Sequence, residues 1–162
     1  MTGIYPLQTA MWEANRHLDV LETALEDWQC TPVTGLIQLE TDQNRLRLLD
    51  QLIFRFTKLQ DAMGQRLVPA TLAALSEPYE EWSMIDRLNR LEKLGYLEVD
   101  AWLRWRETRN RLAHEYPEQD ALRFATILAS VQAAAELAAS YRAWRTRLES
   151  KMPCHHPIDM NS

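Results

Sequence analysis

One short segment near residue 110 combines residue types that can carry acid–base and phosphate chemistry. Arg109 and His114 are separated by four residues, and Asn110 directly follows the arginine. An imidazole can move a proton near neutral pH, and a guanidinium can stabilise negative charge that develops on a phosphate. Together these groups can promote attack of a ribose 2′-hydroxyl on the neighbouring phosphodiester, which is an internal reaction that requires no metal ion.

The spacing sets how these side chains stand around a helix. Arg109 and His114 are turned about 140° from each other, whereas Asn110 and His114, at i and i+4, share a face. Arg109 falls instead on the stripe that contains Trp102 and Trp105. A charge in such a stripe requires a partner, a solvent-filled cleft or an anionic substrate.

A proline follows this segment. Pro117 disfavours the α conformation at the residue before it, so the helix should end within a residue or two of His114. The free carbonyls of a last helical turn carry partial negative charge, which favours the protonated imidazole.

The same segment resembles a signature of HEPN-domain proteins. Arg109, Asn110 and His114 match the motif RX4–6H with a polar residue after the arginine. Tyr116 extends the match to RX4HXY, which is similar to the toxin subunit (HepT-like) of HEPN–minimal nucleotidyltransferase toxin–antitoxin pairs. The stretch 54–64 also looks like that family's second helix. The resemblance covers residues 5–150, and Glu115 inside the motif departs from it without replacing a motif residue.

The resemblance implies an all-α homodimer in which the motifs of two chains meet at one active cleft. It implies a metal-independent endoribonuclease toxin without a cofactor, with Arg109 and His114 as the catalytic pair and Asn110 in support. Tyr116 would be the residue to which a partner nucleotidyltransferase, the antitoxin, attaches AMP. The phosphate-bearing adduct would fill the cleft and compete for the arginines, which would silence the toxin.

Other polar residues have two possible roles. Four arginines flank the motif and either hold an RNA backbone through salt-dependent contacts or are solvated helix charges: Arg104, Arg106, Arg111 and Arg123. Three residues of the second predicted helix either support the site or are ordinary surface residues: Lys58, Gln60 and Asp61. His17 is expected on the surface of the first helix.

Two functions of other classes remain open beside the ribonuclease. The chain can be a non-catalytic HEPN subunit that binds a nucleotidyltransferase and presents a nucleotide or substrate to it. It can also be a helical interaction protein in which the motif spacing is coincidental.

Composition indicates one well-cored domain. The chain has 162 residues, is 46% hydrophobic and contains four glycines. It is too apolar for a disordered chain and has too few glycines for a β-sandwich or a Rossmann-type fold. The net charge of −5 excludes a broadly basic nucleic-acid binder. The acidic excess lies in residues 1–50, however, and residues 101–162 carry a net +2, so a small basic cleft is compatible with the sequence.

The sequence predicts a cytoplasmic location and no metal site. No run of 18 consecutive apolar residues and no signal-peptide pattern occurs, so no membrane association is expected. Cys30 and Cys154 are far apart and are expected to be reduced thiols. No HExxH, CxxC or DxD motif occurs, and the adjacent Cys154, His155 and His156 of the tail form no preorganised site.

Apolar spacing predicts an up-and-down bundle of about five helices over residues 1–150, followed by a flexible tail over 151–162. The first helix carries a seam with alternating spacings of four and three from Leu7 to Trp28. The second covers about 34–63 and ends with Gly64 as its C-cap residue. A short turn lies at 70–75.

The remaining helices are bounded by prolines and glycines. The third predicted helix begins near Pro78, with Ser76 as its N-cap residue, and stops at Gly95. The fourth begins near Asp100 and ends before Pro117. The fifth covers about 120–149.

Overall fold

The structure is a computed structural model that describes residues 4–114 and 116–151. Its elements are α1 (Ile4–Cys30), α2 (Leu36–Thr41), α3 (Gln43–Ala62), a π-helical turn (Met63–Leu67), α4 (Val68–Ala74), α5 (Met84–Lys93), α6 (Val99–Leu112) and α7 (Asp120–Lys151). No strand occurs within the described ranges, so the all-α prediction is confirmed. Of the predicted tail, Lys151 is the last residue of α7, and residues 152–162 lie outside the described part of the chain.

The first helix forms as its seam predicts. Residues of the seam are buried along α1, and these include Leu7, Ala14, Leu18, Leu21 and Leu25. This face packs lengthwise on α3 and also contacts the π turn, α4 and α7. His17 is buried on the same helix, so its predicted surface position is wrong.

The second predicted helix is divided near its start. Asp42 has an extended backbone conformation between α2 and α3, and its carboxylate accepts hydrogen bonds from the backbone N–H groups of Asn44 and Arg45. Asp42 therefore caps α3 instead of continuing α2. With residues 43–74 counted as one continuous rod, the described residues form six helices, where about five are predicted.

Gly64 does not end a helix, so the C-cap predicted there is wrong. The chain passes from α3 through the π turn directly into α4. A Cβ atom on Gly64 would lie 3.2 Å from Cζ2 of the Trp102 indole in α6. The glycine therefore lets α6 approach the π turn closely, and this requirement explains its position better than chain termination.

α5 begins later than predicted. The Ser83 hydroxyl accepts a hydrogen bond from the backbone N–H of Asp86 at 3.2 Å, which identifies Ser83 as the N-cap residue. Ser76, the predicted N-cap residue, has a positive φ of 59° just after α4. Pro78 consequently lies in the loop and not in the first turn of a helix.

The predicted stop of this helix at Gly95 is confirmed. Gly95 has a φ of 85°, which is the left-handed conformation that glycine adopts without strain. Its N–H donates to the carbonyl of Glu92 at 3.0 Å, and the N–H of Tyr96 donates to the carbonyl of Leu91 at 2.9 Å. These two hydrogen bonds form a Schellman motif and satisfy the last carbonyls of α5.

α7 is anchored to distant parts of the chain. It packs on α1, α3 and α6. The Trp144 indole N–H donates to the Thr71 hydroxyl at 3.1 Å, and the Tyr141 hydroxyl donates to Oδ1 of Asn15 at 2.6 Å. Burial raises the pKa of Tyr141 to about 12, so this hydroxyl stays protonated and keeps donating.

α7 is also long and apolar enough to cross a membrane, by length and composition alone. One 18-residue window of it has a mean hydropathy of 1.2, and 33% of that window is buried in the bundle. Leu122 and Leu128 are among its exposed apolar side chains. α7 thus carries apolar surface that the described residues leave exposed.

Candidate functional site

The motif lies at the C-terminal end of α6. The helix ends at Leu112, and the N–H of His114 donates to the carbonyl of Arg111 at 3.1 Å. The predicted helix end within two residues of His114 is confirmed. Since the chain leaves the helix before His114, this residue does not share a helical face with Asn110, and that part of the prediction is wrong.

Arg109 is held by a carboxylate of α3. Its Nη1 donates to Oδ1 of Asp61 in a short contact, and its Nη2 donates to Oδ2 at 3.3 Å. The two side chains are 34% and 30% exposed, so the pair is partly shielded from water. A two-pronged pair fixes the guanidinium plane and leaves three of the five N–H donors available. Asp61 is therefore the partner that a charge in this stripe requires.

This ion pair lies in a cleft of about 370 Å³ between α3, the π turn and α6, which we call the α3–α6 cleft. Its lining brings together polar side chains of α3 and α6: Gln60, Asp61, Arg106, Arg109 and Asn110. Gly64 and Gln65 of the π turn and the indole of Trp102 contribute to the same lining. The cleft thus combines two guanidinium groups, one carboxylate, three amides and an aromatic ring.

Gln60 is the most buried polar residue of this cleft. It is 4% exposed, and neither Nε2 nor Oε1 of its amide has a hydrogen-bond partner among the described residues. Of the three polar residues of this helix that could either support the site or be ordinary surface residues, Gln60 and Asp61 line the cleft. Lys58 is exposed instead, with its ammonium 5.5 Å from the centre of the Phe54 ring.

His114 lines a different cleft. This second cavity, of about 430 Å³, lies between the end of α6 and the start of α7, and we call it the α6–α7 cleft. Tyr116 and Arg123 line it as well. The His114 and Tyr116 rings are 6.2 Å apart between centres and inclined at 57°. The imidazole is exposed and the phenol half-buried, so both border one open cavity.

Within one chain, Arg109 and His114 consequently do not meet in one cavity. Arg109 lines the α3–α6 cleft and His114 the α6–α7 cleft. The helix ends at Leu112, and the segment that follows carries His114 away from the face on which Arg109 lies. A site that uses both groups on one phosphate requires a second chain or a movement of the segment after α6.

The flanking arginines differ in how their charge is balanced. Arg111 pairs with Glu107 one turn earlier at 2.7 Å, and Arg123 pairs with two carboxylates. Arg104 and Arg106 are exposed and form no ion pair within the described ranges. Arg106 is the one of the four that also lines the α3–α6 cleft, beside Arg109.

Among the described residues, no group of three or more His, Cys, Asp or Glu side chains is arranged to hold a metal ion. The tail residues Cys154, His155 and His156 lie outside that part of the chain. Compared with models of protein families, with curated proteins and with solved structures, the chain gives no match. The family resemblance therefore rests on the sequence motif.

Proposed function

We propose that this protein is a cytoplasmic, metal-independent endoribonuclease of the HEPN type and the toxin of a toxin–antitoxin pair. The observation that supports this function best is the setting of Arg109. A guanidinium is fixed by Asp61 at the end of a helix, and an exposed imidazole follows five residues later. A fixed cation and a mobile proton carrier are two groups that promote phosphoryl transfer to an internal hydroxyl.

In the proposed reaction, His114 accepts the proton of a ribose 2′-hydroxyl. The 2′-oxygen then forms a bond to the adjacent phosphorus, and the bond from phosphorus to the 5′-oxygen breaks. A protonated imidazole gives a proton to the leaving 5′-oxygen, so the products carry a cyclic 2′,3′-phosphate and a 5′-hydroxyl. Arg109 stabilises the additional negative charge on the phosphate oxygens while bonds form and break.

The proposed active form is a homodimer. One chain places Arg109 and His114 in two cavities, and a two-fold axis can bring the arginine of one chain to the histidine of the other. Exposed apolar side chains on α7, such as Leu122 and Leu128, provide surface that a second copy can cover.

Neutralisation by a partner nucleotidyltransferase is proposed to act at Tyr116. The phenol shares the α6–α7 cleft with His114, so an AMP group attached to it would occupy the space in front of the imidazole. Co-expression with the partner should add the mass of one AMP to a peptide that contains Tyr116. A Tyr116→Phe variant should remain unmodified and toxic, and modification at a different residue would remove Tyr116 from the proposal.

The test of the nuclease is direct. The purified chain is incubated with total RNA in excess EDTA, beside His114→Ala and Arg109→Ala variants. Cleavage by the wild type should be lost in both variants and retained by Arg47→Ala, an exposed arginine of α3 outside both clefts. Cleavage that survives either motif substitution would show that these residues do not form the site.

A second function is favoured by one observation. The charge of Arg109 is already balanced by Asp61, and His114 lies in another cavity of the same chain. This arrangement also suits a non-catalytic subunit that binds a nucleotidyltransferase. An unmodified wild type that cleaves no RNA but forms a stable complex with the enzyme encoded beside it would support this second function. If it neither cleaves RNA nor binds such an enzyme, the motif has no functional role.

A further inference from the structure

The Gln60 amide is a buried polar group without a structural explanation in the bundle. The residue is only 4% exposed, and both heteroatoms of its side chain lack a hydrogen-bond partner within the described residues. A buried amide without hydrogen bonds destabilises the folded state, and an apolar residue of similar size would pack in the same volume without this cost. The position therefore points to a ligand that completes the hydrogen bonds.

The surroundings of Gln60 narrow the chemistry of such a ligand. It lines the α3–α6 cleft with the guanidinium groups of Arg106 and Arg109, which favour an anion. The Trp102 indole, which approaches the π turn because Gly64 has no side chain, also lines the cleft. A π turn inside a helix is itself rare and is found often at functional sites. The ligand should thus have a flat apolar body, polar edges and a phosphate.

We propose that the α3–α6 cleft binds one base of the RNA substrate and that the Gln60 amide reads the hydrogen-bonding edge of that base. This inference rests on the proposed RNA substrate. A glutamine amide presents donor N–H groups beside an acceptor oxygen, which match the adjacent acceptor and donor atoms on a base edge. The volume of about 370 Å³ lies in the range of small-molecule binding sites.

The neighbouring groups have distinct tasks in this arrangement. Trp102 is 4% exposed and offers the base an apolar contact through the part of its indole that lines the cleft. Arg106 contacts the phosphate that enters or leaves the cleft, and Arg109 contacts the phosphate to be cleaved with the N–H donors that Asp61 leaves available. The base in this cleft would therefore be a direct neighbour of the cleaved bond, and the nuclease would cut with a base preference.

The experiment measures binding separately from cleavage. Short 2′-O-methylated homopolymers of A, C and U, which lack the attacking hydroxyl, are titrated by fluorescence anisotropy against the wild type and Gln60→Met. The wild type should bind one homopolymer best, and the substitution should weaken that binding about tenfold and remove the preference. Gln51→Met, on the exposed surface of α3 outside the cleft, should keep both affinity and preference.

A thermal melt of the same variants distinguishes a ligand site from a folding role. Gln60→Met should melt at the same temperature as the wild type or higher, since it removes an unpaired amide. If it melts lower, Gln60→Leu takes its place in the titration. A cleft substitution that binds with unchanged affinity and preference overturns the inference, and so does a wild type without base preference that cleaves RNA. A base preference that depends on Gln60, in a protein that cleaves no RNA, would support this binding site and contradict the proposed catalysis.

Discussion

Arg109 and Asp61 are 48 residues apart in the sequence and form a two-pronged ion pair that connects α6 to α3. The pair holds the guanidinium plane in one orientation while part of it remains accessible from the α3–α6 cleft. In the proposed mechanism Asp61 acts through Arg109, to which both of its carboxylate oxygens are bound, so it is a positioning residue. Its effect should appear in the rate of the chemical step.

Substitution of Asp61 tests that role. Asp61→Asn keeps the size of the side chain but loses the charged pair, so Arg109 should lose its fixed orientation. We expect kcat for RNA cleavage to fall about tenfold to a hundredfold, with a smaller change in KM. Asp61→Glu should recover part of the rate, and Asp50→Asn, an exposed aspartate on the same helix, should change nothing. A faster Asp61→Asn enzyme would instead show that the carboxylate competes with the phosphate for Arg109.

Mixing two inactive variants tests whether one active site uses two chains. Arg109→Ala and His114→Ala homodimers are combined at equal concentration under conditions that exchange subunits. If the arginine of one chain acts with the histidine of the other, each mixed dimer has one intact site, and activity should return to about a quarter of the wild-type value. No recovery after verified exchange would mean that both groups act within one chain.

For the proposed RNA substrate, the balance of charge around the motif predicts which arginines contact phosphates. Arg106 lines the α3–α6 cleft and forms no ion pair within the described ranges, whereas Arg111 is paired with Glu107. Arg106→Gln should therefore lower the slope of log affinity against log salt concentration by about one phosphate contact. Arg111→Gln should have a smaller effect. Equal slopes for the two variants would show that Arg106 contacts no more RNA phosphate than Arg111 does.

His17 predicts how stability depends on acid pH. It is buried between α1 and α3, and the Arg55 guanidinium donates to its Nδ1 at 3.0 Å, so this nitrogen must be unprotonated. Burial is the largest cause that lowers the pKa of His17 below its usual 6.5, followed by the charge of Arg55, with smaller effects from Arg16 and Lys58. The Glu13 carboxylate acts in the opposite direction.

The unfolded chain thus binds a proton on His17 at a higher pH than the folded chain does. The contribution of neutral His17 to the free energy of unfolding should be fully present above pH 6.5. It should be lost as the pH falls below that value, until His17 is protonated in the folded state too. Thermal unfolding followed by circular dichroism between neutral and acid pH measures this effect. The His17→Gln variant should lose less stability over the same interval, and an equal loss in both proteins would contradict the assignment.

The sequence predicts the helices where local rules decide them. The seam of α1 is buried as expected, and Gly95 ends α5 because a left-handed residue is required there. Ser76 and Ser83 are both good N-cap residues, and only the tertiary position of the loop selects the second. Gly64 has the same ambiguity, since its role depends on Trp102, which is 38 positions further along the chain.

The candidate site is predictable only in part for the same reason. The position of Arg109 in an apolar stripe indicates that it needs a partner, but no local signal identifies Asp61. Gln60 and Asp61 are adjacent polar residues on one helix, and the spacing alone does not show that one is buried and the other paired. The prediction that Asn110 and His114 share a helical face is wrong because the helix ends between them. These relationships arise from packing between helices, which spacing within one helix does not contain.

The π turn at Met63–Leu67 also sets the rotation of α4 relative to α3 within the long rod of residues 43–74. A π turn uses about one residue more than an α-helical turn, and each residue turns a helix by about 100°. Removal of a single residue there would therefore leave an ordinary α-helical turn in nearly the same rotational phase, with Thr71 still facing the Trp144 indole and Asp61 still facing Arg109. A residue added or removed in the α-helical parts of the rod between Asp61 and Thr71 would instead rotate α4 against α3 by about 100°. The π turn is thus a place where the rod can be shortened by one residue while the cleft and the core keep their relative orientation.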